Sequence, residues 1–542
     1  MTRDEAPMPA ETSEPAETSE PAESTGSDPH RSTICFDRFR MVVGGRRLLW
    51  NYNASIPADG LTVVVGPSGA GKSLWLRAVA GLIDRRQSAI EVQGDVSVGD
   101  RIDPRIGVVF QSYAVFDELT PRQNVQIALD HRPTKTTPHR TESADAHLAE
   151  LDIPSDVPTR ALSGGQKQRL GIARALASQP DVVLYDEPTS GLDGQTAGRV
   201  AELIRRTHHQ TGVPGIVVTH DYVSVLPVAD RVLLFDVAAA SLIEVPPTHW
   251  GNIAEWIGGG RTGDVDAKLG DAPEREDPGG DSIIGSWLRR IDGIGRAVRG
   301  VAGEISTLSP VPTSRWMVWF LGQHLRLVAG PSAIVYLMAA GGIVGFVTIY
   351  FTLDYLPYKR TTGPLLIDDL IAAVGFALYR VLIPILATVL IAARSGAALA
   401  ASVGVKRYGG QIDAMKTIGV EPQRHLGGMM VAAMIVSTPL LVLLAYISAR
   451  AVAAATFATM FPEVERSFWD WHIRRGLIEG HATAWLIAKS VVCGLAVAII
   501  ASIHGNAPKD SAAAVSRSIT ACILWSTLVV LATHFGFALV EF

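Results

Sequence analysis

Five short apolar runs punctuate the first half of the chain: Leu61–Val65, Ile106–Phe110, Val182–Tyr185, Ile216–Thr219 and Val232–Phe235. None alternates with polar residues, so each reads as a strand covered on both faces. Between them, residues 74–82, 163–178 and 194–210 carry helical spacing. Strands interleaved with helices over 33–257 predict an α/β domain with a largely parallel sheet. The second half has another pattern. Apolar stretches near 331–353, 370–395, 427–455, 482–504 and 518–540 each reach the roughly 20 residues that cross a hydrocarbon core of about 30 Å. Ahead of them, residues 314–328 set Trp316, Trp319 and Phe320 beside Arg315 and Arg326, as a helix lying in a membrane interface does. Residues 313–542 are therefore expected to form an all-α transmembrane domain, with an interfacial helix and five spans. A soluble core of five such lengths would leave little polar surface to face water.

The remaining segments are polar. Residues 1–30 repeat ETSEPA at 11–16 and 17–22, and such an acidic tail cannot bury enough apolar surface to offset the entropy of ordering. It lacks the basic start and apolar core of a signal peptide. Residues 258–312 open on three glycines at 258–260, continue as GDAPEREDPGGD, and read as a flexible linker, with a short helix at Ile284–Val301. The chain has 542 residues and a formal net charge of -5. Its mean hydropathy of +0.23 averages the two unlike halves. With no basic block, nucleic acid is excluded as the main partner. Three cysteines, Cys35, Cys493 and Cys522, are too few and too scattered for a disulfide framework or a zinc site.

The chemistry begins at Gly66-Pro67-Ser68-Gly69-Ala70-Gly71-Lys72-Ser73, which follows the strand LTVVV and opens a helix. That context makes it a P-loop, whose backbone N–H groups curl around phosphate oxygens at a helix N-terminus. Lys72 would reach the β/γ-phosphates and the Ser73 hydroxyl would ligate Mg²⁺. The strand Val182–Tyr185 ends in Asp186 and Glu187. Asp186 fits a Mg²⁺ partner, and Glu187, one step on, could polarise a water for attack on the γ-phosphate. Leu162-Ser163-Gly164-Gly165-Gln166 precedes a helix that Ser163 can cap. Gln111 follows IGVVF and His220 follows IVVT; a lone Gln or His would be structural.

In this order the residues resemble those of the ATP-binding-cassette ATPases, over about 33–250: P-loop, Gln111 loop, LSGGQ signature, Asp186-Glu187, the loop Ser190-Gly191-Leu192-Asp193, and His220. The resemblance implies that two such domains sandwich two ATP molecules. Each ATP then touches Lys72 of one copy and Ser163 of the other. It implies Glu187 as general base and His220 as the γ-phosphate contact that holds it. Gly66, Ser68, Gly69, Ala70, Gly71, Ser73, Gln111, Ser163, Gly164, Gly165, Gln166 and Asp193 are implied ATP contacts, and Ser73, Gln111 and Asp186 the Mg²⁺ site. One departure is Arg40-Met41-Val42-Val43-Gly44-Gly45, where the family places an aromatic to stack on adenine. A chain with one P-loop and one signature needs a second copy to complete a site.

In the membrane half, Arg380 sits inside an apolar segment, where a charge is costly and by default faces the bundle or a cavity. Arg394 nears the cytoplasmic end and can snorkel. Residues 392–398 pack small side chains that let helices approach. Residues 410–422 read as a short helix, Gln411, Ile412, Asp413, Ala414 and Met415 included, ended by Gly419 and Pro422. Lying between spans two and three, it would press into the ATPase from the membrane. With the ATPase placed in the cytoplasm, 396–426 fall inside. Residues 456–481 fall outside although they carry Arg466, Arg474 and Arg475, so the positive-inside signal is weak.

Here the chain resembles the MlaE-type permeases, lipid-trafficking partners of Mce-domain proteins, from about 312 to 542. The resemblance rests on Ala393-Arg394-Ser395-Gly396, Gln411-Ile412-Asp413-Ala414 and Gly419-Val420-Glu421-Pro422, with Arg380 and Pro384 in register. It implies a multi-pass protein of the bacterial inner membrane that transports phospholipid, powered by a cytoplasmic ATPase here fused in front, with an extracytoplasmic Mce-type partner. The chain departs from the family at Val381, Ser402 and Gly410, where glutamates stand, and in the opening of the last span at Asn506–Asp510. The expectation is a homodimer that hydrolyses ATP and moves a lipid. Transport of a sterol- or solvent-like compound, and a membrane-anchored ATPase that remodels a partner, stand beside it. An inactive nucleotide-gated scaffold is opposed by the intact Lys72, Asp186, Glu187 and His220.

Overall fold

The computed structural model describes residues 33–57, 60–83, 90–99, 101–102, 104–132, 143–258, 311, 313–355, 359–475, 481–509 and 511–541. The acidic tail at 1–30, nearly all of the 258–312 linker and the helix expected at Ile284–Val301 lie outside them. The five apolar runs form the heart of a six-stranded sheet of order β5-β6-β7-β3-β8-β9. Here β3 is Leu61–Val65, β5 Ile106–Val109, β6 Val182–Asp186, β7 Gly215–Val218, β8 Arg231–Asp236 and β9 Ser241–Glu244. All pairs are parallel except β8 with β9. Helices Lys72–Val79, Gly164–Ala177 and Gly194–Thr211 cover it. Strands β3 and β6 are buried along their whole length, which is why they carry no polar alternation.

A second sheet, order β2-β1-β4, is antiparallel: β1 Thr33–Val43, β2 Arg46–Pro57, β4 Ile90–Val98. Its strands mix buried and exposed positions, with register shifts near Phe39 and Arg40. That irregularity hides them from a reading keyed to continuous apolar runs. Leu48 of β2 lies so close to Gly71 that a Cβ there would meet its Cδ1 at 2.6 Å. The small sheet is thereby packed onto the P-loop.

The second half is helical, and among the described residues five helices are long and apolar enough to cross a membrane. Helix Arg315–Ala329 precedes the first span, Pro331–Asp354, and Gly330 breaks the two in an extended conformation (φ -65°, ψ 169°). The second span is longer than expected. It runs through Tyr408 as one helical rod with π-helical turns at Ala377–Leu382 and Ala392–Gly396, past the 370–395 stretch read from the sequence. Such turns concentrate at functional sites, and these two carry Arg380 and Arg394. Spans three to five cover Gln423–Met460, Ala482–Asn506 and Ala512–Glu541. Glycines set their spacing: a Cβ on Gly341 or Gly345 would collide with the carbonyls of Ala445 and Ala449, and one on Gly494 would meet the Met434 carbonyl at 2.8 Å. Packing without a hydrophobic drive needs such close backbone approach. The small stretch at 392–398 behaves likewise, with Gly396 against Val497.

Candidate functional site: a phosphate-binding loop and its seat on the membrane domain

The P-loop follows β3, and Gly69 and Gly71 sit at φ +77° and +97°, a region costly for residues with a Cβ. They let the chain turn from strand into helix Lys72–Val79 with its N–H groups facing inward. Lys72 is buried, and its ammonium donates to the carbonyls of Gly66 and Pro67, both at 2.8 Å. Burial holds its pKa below the usual lysine value, opposed by the charges of Glu187 and Asp186.

Strand β6 delivers Asp186, which is buried and accepts from the Ser73 hydroxyl. Burial raises its pKa, and the Ser73 bond only partly offsets this. Its Oδ1 is buried with no partner among the described residues. A carboxylate oxygen orphaned beside a P-loop serine fits a divalent cation, which would relieve the desolvation. Glu187 follows at φ +51°, a strained backbone of the kind that concentrates at functional sites. Its Oε2 accepts from His220 Nδ1 at 2.8 Å, from the His220 N–H at 3.3 Å and from Thr219 Oγ1 at 3.3 Å. Thus β7 holds by its end the carboxylate that β6 presents.

Ser163 caps helix Gly164–Ala177 through a capping box: its hydroxyl accepts from the Gln166 N–H, and its own N–H donates to Gln166 Oε1 at 2.9 Å. The Gln166 side chain is thereby turned to the cap. Gly164 and Gly165 follow, and a cleft of about 910 Å³ opens beside Ser163, Gly165, Arg169, Asp193 and Arg199. No P-loop residue lines it. Asp193 caps helix Gly194–Thr211, with the Thr196 hydroxyl donating to it at 2.7 Å, and these bonds lower its pKa. The structure therefore brings Lys72, Ser73, Asp186, Glu187 and His220 together and leaves Ser163 to Gln166 on a separate face. Gln111 is exposed, its amide donating to Ser190 Oγ at 3.4 Å.

Just past Gln111 the chain makes a tight turn with Tyr113 and Ala114 at φ +63° and +48°. Arg174, buried on the Ser163-capped helix, donates to the Ala114 carbonyl at 2.7 Å, and burial lowers its pKa to about 10. Helix Gln411–Thr417 lies on this turn. Gln411 Nε2 donates to the Val115 carbonyl at 2.8 Å, Ser112 Oγ donates to the Gly409 carbonyl at 3.0 Å, and Lys406 pairs with Glu118. Gln411, Ile412, Asp413, Ala414 and Met415 are all buried, and Ala414 packs in one core with Phe110 and Ala114. Gly410 enters at φ +71°, with the Ser112 hydroxyl 3.3 Å from where its Cβ would stand. A second contact joins the halves: Asp130 accepts from Arg315 Nε at 2.8 Å and Trp316 Nε1 at 2.6 Å.

Inside the bundle, Arg380 lies over the Phe376 ring at 5.3 Å, and its carbonyl accepts from Lys489 Nζ at 2.9 Å. Lys489 also pairs with Glu541 at 2.6 Å, both fully buried. The sequence reading named Arg380 and missed its neighbours. Lys489 was visible as a lone charge within an apolar span, and Glu541 as the last charge of the final one.

The comparisons with known proteins agree with this division. The ABC transporter family matches residues 49–190, and the family described as Permease MlaE matches 324–540. The sulfate/thiosulfate import ATP-binding protein CysA 2 of Shewanella oneidensis is 37% identical over 190 residues, 34% of this chain and 54% of that protein. The corresponding CysA of Mannheimia succiniciproducens is 33% identical over 273 residues, 49% of this chain and 74% of its own length. The lactose transport ATP-binding protein LacK of Rhizobium radiobacter is 37% identical, again across 54% of its length. The chain thus spans about half the length of several curated relatives it matches. Among solved structures, the dimeric MJ0796 cassette aligns at 26% identity and a TM-score of 0.33, covering 39% of this chain and 96% of that one.

Proposed function

The chain belongs to the ABC transporter family, an ATPase joined to an MlaE permease in one multi-pass polypeptide, and from that premise we propose that two copies hydrolyse ATP to move a phospholipid. The inner membrane of a bacterium, with the ATPase in the cytoplasm, is the setting this reading takes. The observation that carries it is the seating of Gln411–Thr417 on the turn at Ser112–Val115, which Arg174 ties to the Ser163-capped helix. Motion of the nucleotide face can reach the spans through that seat.

ATP is the substrate of the P-loop. Lys72 would release the carbonyls of Gly66 and Pro67 and place its ammonium on phosphate oxygens. Ser73 and Asp186 would hold Mg²⁺, with Gln111 reaching over from Ser190. When bound, that ion neutralises the phosphate charge. Glu187, held by His220 and Thr219, orients a water and takes its proton. Ser163 of the second copy closes over the γ-phosphate, since the cleft at Ser163 has no P-loop residue of its own. An Mce-type partner would pass lipid on the far side.

Support for a lipid cargo is the MlaE match over 324–540 together with the buried Lys489–Glu541 pair, whose lysine also reaches the Arg380 carbonyl. The relatives are by name ATP-binding proteins of sulfate/thiosulfate import and of lactose transport, whereas the cargo here is read from the permease half. The test is reconstitution into vesicles with labelled phospholipid. Movement that requires ATP and stops in Glu187→Gln supports the proposal. Mg²⁺-dependent hydrolysis without movement of any lipid, under any partner, would leave the remodelling ATPase instead.

A further inference from the structure

At the end of the bundle opposite the ATPase, the chain between spans three and four forms helix Arg466–Arg475. Its inner side is fixed. Trp469 and Ile473 are buried, and the Trp469 ring lies 5.0 Å from that of Phe457. The Ile473 carbonyl presses against Gly375 so closely that a Cβ would collide. Asp470 accepts from Arg450 at 2.5 Å. The helix is thus a seated part of the bundle.

Its outer side is unusual for such a place. Trp471 is 61% exposed, and Arg466, Arg474 and Arg475 are all exposed. Glu463 and Glu465 stand beside Arg466 at the start. The other end is cationic, because Asp470 is committed to Arg450. The Arg475 guanidinium lies 5.9 Å from the Trp471 ring, and its carboxylate partner Asp369 is 4.0 Å off and well exposed. Arginines on the far side run against the usual bias of membrane proteins. They are also placed where Met460 ends one span and Ala482 begins the next, the level of headgroups.

We propose that Trp471, Arg474 and Arg475 form a binding site for the phosphate of anionic phospholipid on the membrane face opposite the ATPase. An indole suits the water–hydrocarbon boundary, with its ring among acyl carbonyls and its N–H toward water. Two adjacent guanidinium forks match phosphate oxygens bidentately. A lipid surface is favoured over an acidic protein because Trp471 is an exposed aromatic at the level where hydrocarbon ends. The site depends on the membrane placement and not on the transported cargo.

The test uses the full chain in nanodiscs of phosphatidylcholine with or without phosphatidylglycerol. Phosphatidylglycerol retained after exchange is read by native mass spectrometry for the wild type, Arg474→Gln/Arg475→Gln, and Arg424→Gln at the ATPase end. The double variant should bind phosphatidylglycerol roughly thirtyfold more weakly, from the loss of two surface charges, while Arg424→Gln and the ATPase rate stay unchanged. Lipid brominated near its carbonyl should quench the emission that Trp471→Phe removes. Equal retention in the double variant, or Trp471 emission deaf to brominated lipid, overturns the site. So does Trp471 emission that shifts only with a polyglutamate peptide, which assigns the surface to protein docking. No ATP is needed, so a chain that keeps its lipid yet moves none refutes transport alone.

Discussion

Replacing Glu187 with Gln keeps the shape of the side chain and its bond from Thr219 while removing the charge and the capacity to take a proton. General-base catalysis contributes roughly 10²–10⁴ in rate, which at about 1.4 kcal/mol per decade is about 3–5 kcal/mol. His220→Ala removes the 2.8 Å bond to Glu187 Oε2, a bond to a charged group worth about 1.5–3 kcal/mol, or roughly ten- to hundredfold in rate. If His220 works by holding Glu187, its loss matters only while Glu187 can act. The double variant should then be no slower than Glu187→Gln alone within about threefold, a coupling close to the whole His220 effect. The assay is phosphate release at saturating Mg²⁺-ATP from the reconstituted chain, with nucleotide retention measured alongside. Additive losses would show that His220 contacts phosphate independently, and a Glu187→Gln chain with a tenth or more of wild-type turnover would remove Glu187 from the role of base.

Three other outcomes follow from the same geometry. Ala414→Asp buries a charge between Phe110 and Ala114, which an apolar core cannot solvate. Hydrolysis should persist while its response to lipid falls at least tenfold, and parallel ATPase and lipid-movement assays would show an unseated helix; retained coupling would show that the seat transmits nothing. Asp186→Asn should abolish Mg²⁺-dependent hydrolysis yet raise the melting temperature of the nucleotide-free protein by about 2–4 °C at neutral pH, about 1 kcal/mol for a domain of this size. The sign follows from burial: a carboxyl whose pKa is raised in the fold penalises the folded state fully above its folded pKa, and the penalty lifts as pH falls through that value to the unfolded pKa. The Asn variant's advantage should therefore shrink in acid, as melting curves between pH 7 and pH 4 will record. Lys489→Met strands Glu541 in the bundle and should cost about 3–5 kcal/mol in detergent, whereas Lys489→Met/Glu541→Gln recovers most of it; a double variant as unstable as the single would deny that the pair is the issue.

Legibility along the chain tracked how local each signal is. The P-loop, the Asp186-Glu187 pair and the signature are short stretches whose geometry is set by adjacent residues, so their elements could be read directly. The β1-β2-β4 sheet could not, because its mixed pattern takes its meaning from partners up to β4, and its register shifts break the period of two. The extension of span two to Tyr408 was hidden because the apolar run that marks the span stops near 395, short of Lys406 and Arg407. Lys406 is instead buried against Glu118 of the other domain, a partner 288 residues away in sequence. The grouping of Arg380, Lys489 and Glu541 is likewise tertiary. What the motifs name is which groups carry charge; only packing says which charges meet.

Fusion changes what the seat must do. Covalent linkage makes the meeting of Gln411–Thr417 with the ATPase intramolecular; at an effective concentration on the order of millimolar, a seat worth about 4 kcal/mol is half occupied or better. The contacts suffice for that and little more. Two hydrogen bonds, from Gln411 and Ser112, contribute about 0.5–1.5 kcal/mol each. The Lys406–Glu118 pair, half open on the Glu118 side, contributes about 1 kcal/mol at most, and burial of Ala414 and Met415 supplies about 1–3 kcal/mol more. A seat of that strength can tilt and re-form in each cycle, because the tether returns it without requiring a tight complex. The positive φ values of Tyr113, Ala114 and Gly410 belong to the same logic: they hold the meeting loops in one shape, so that the little binding energy available goes into direction and not into ordering. Arg174 then fixes that shape to the helix that Ser163 caps, so that on the proposed reading a motion of that helix would arrive at Gln411 as a push.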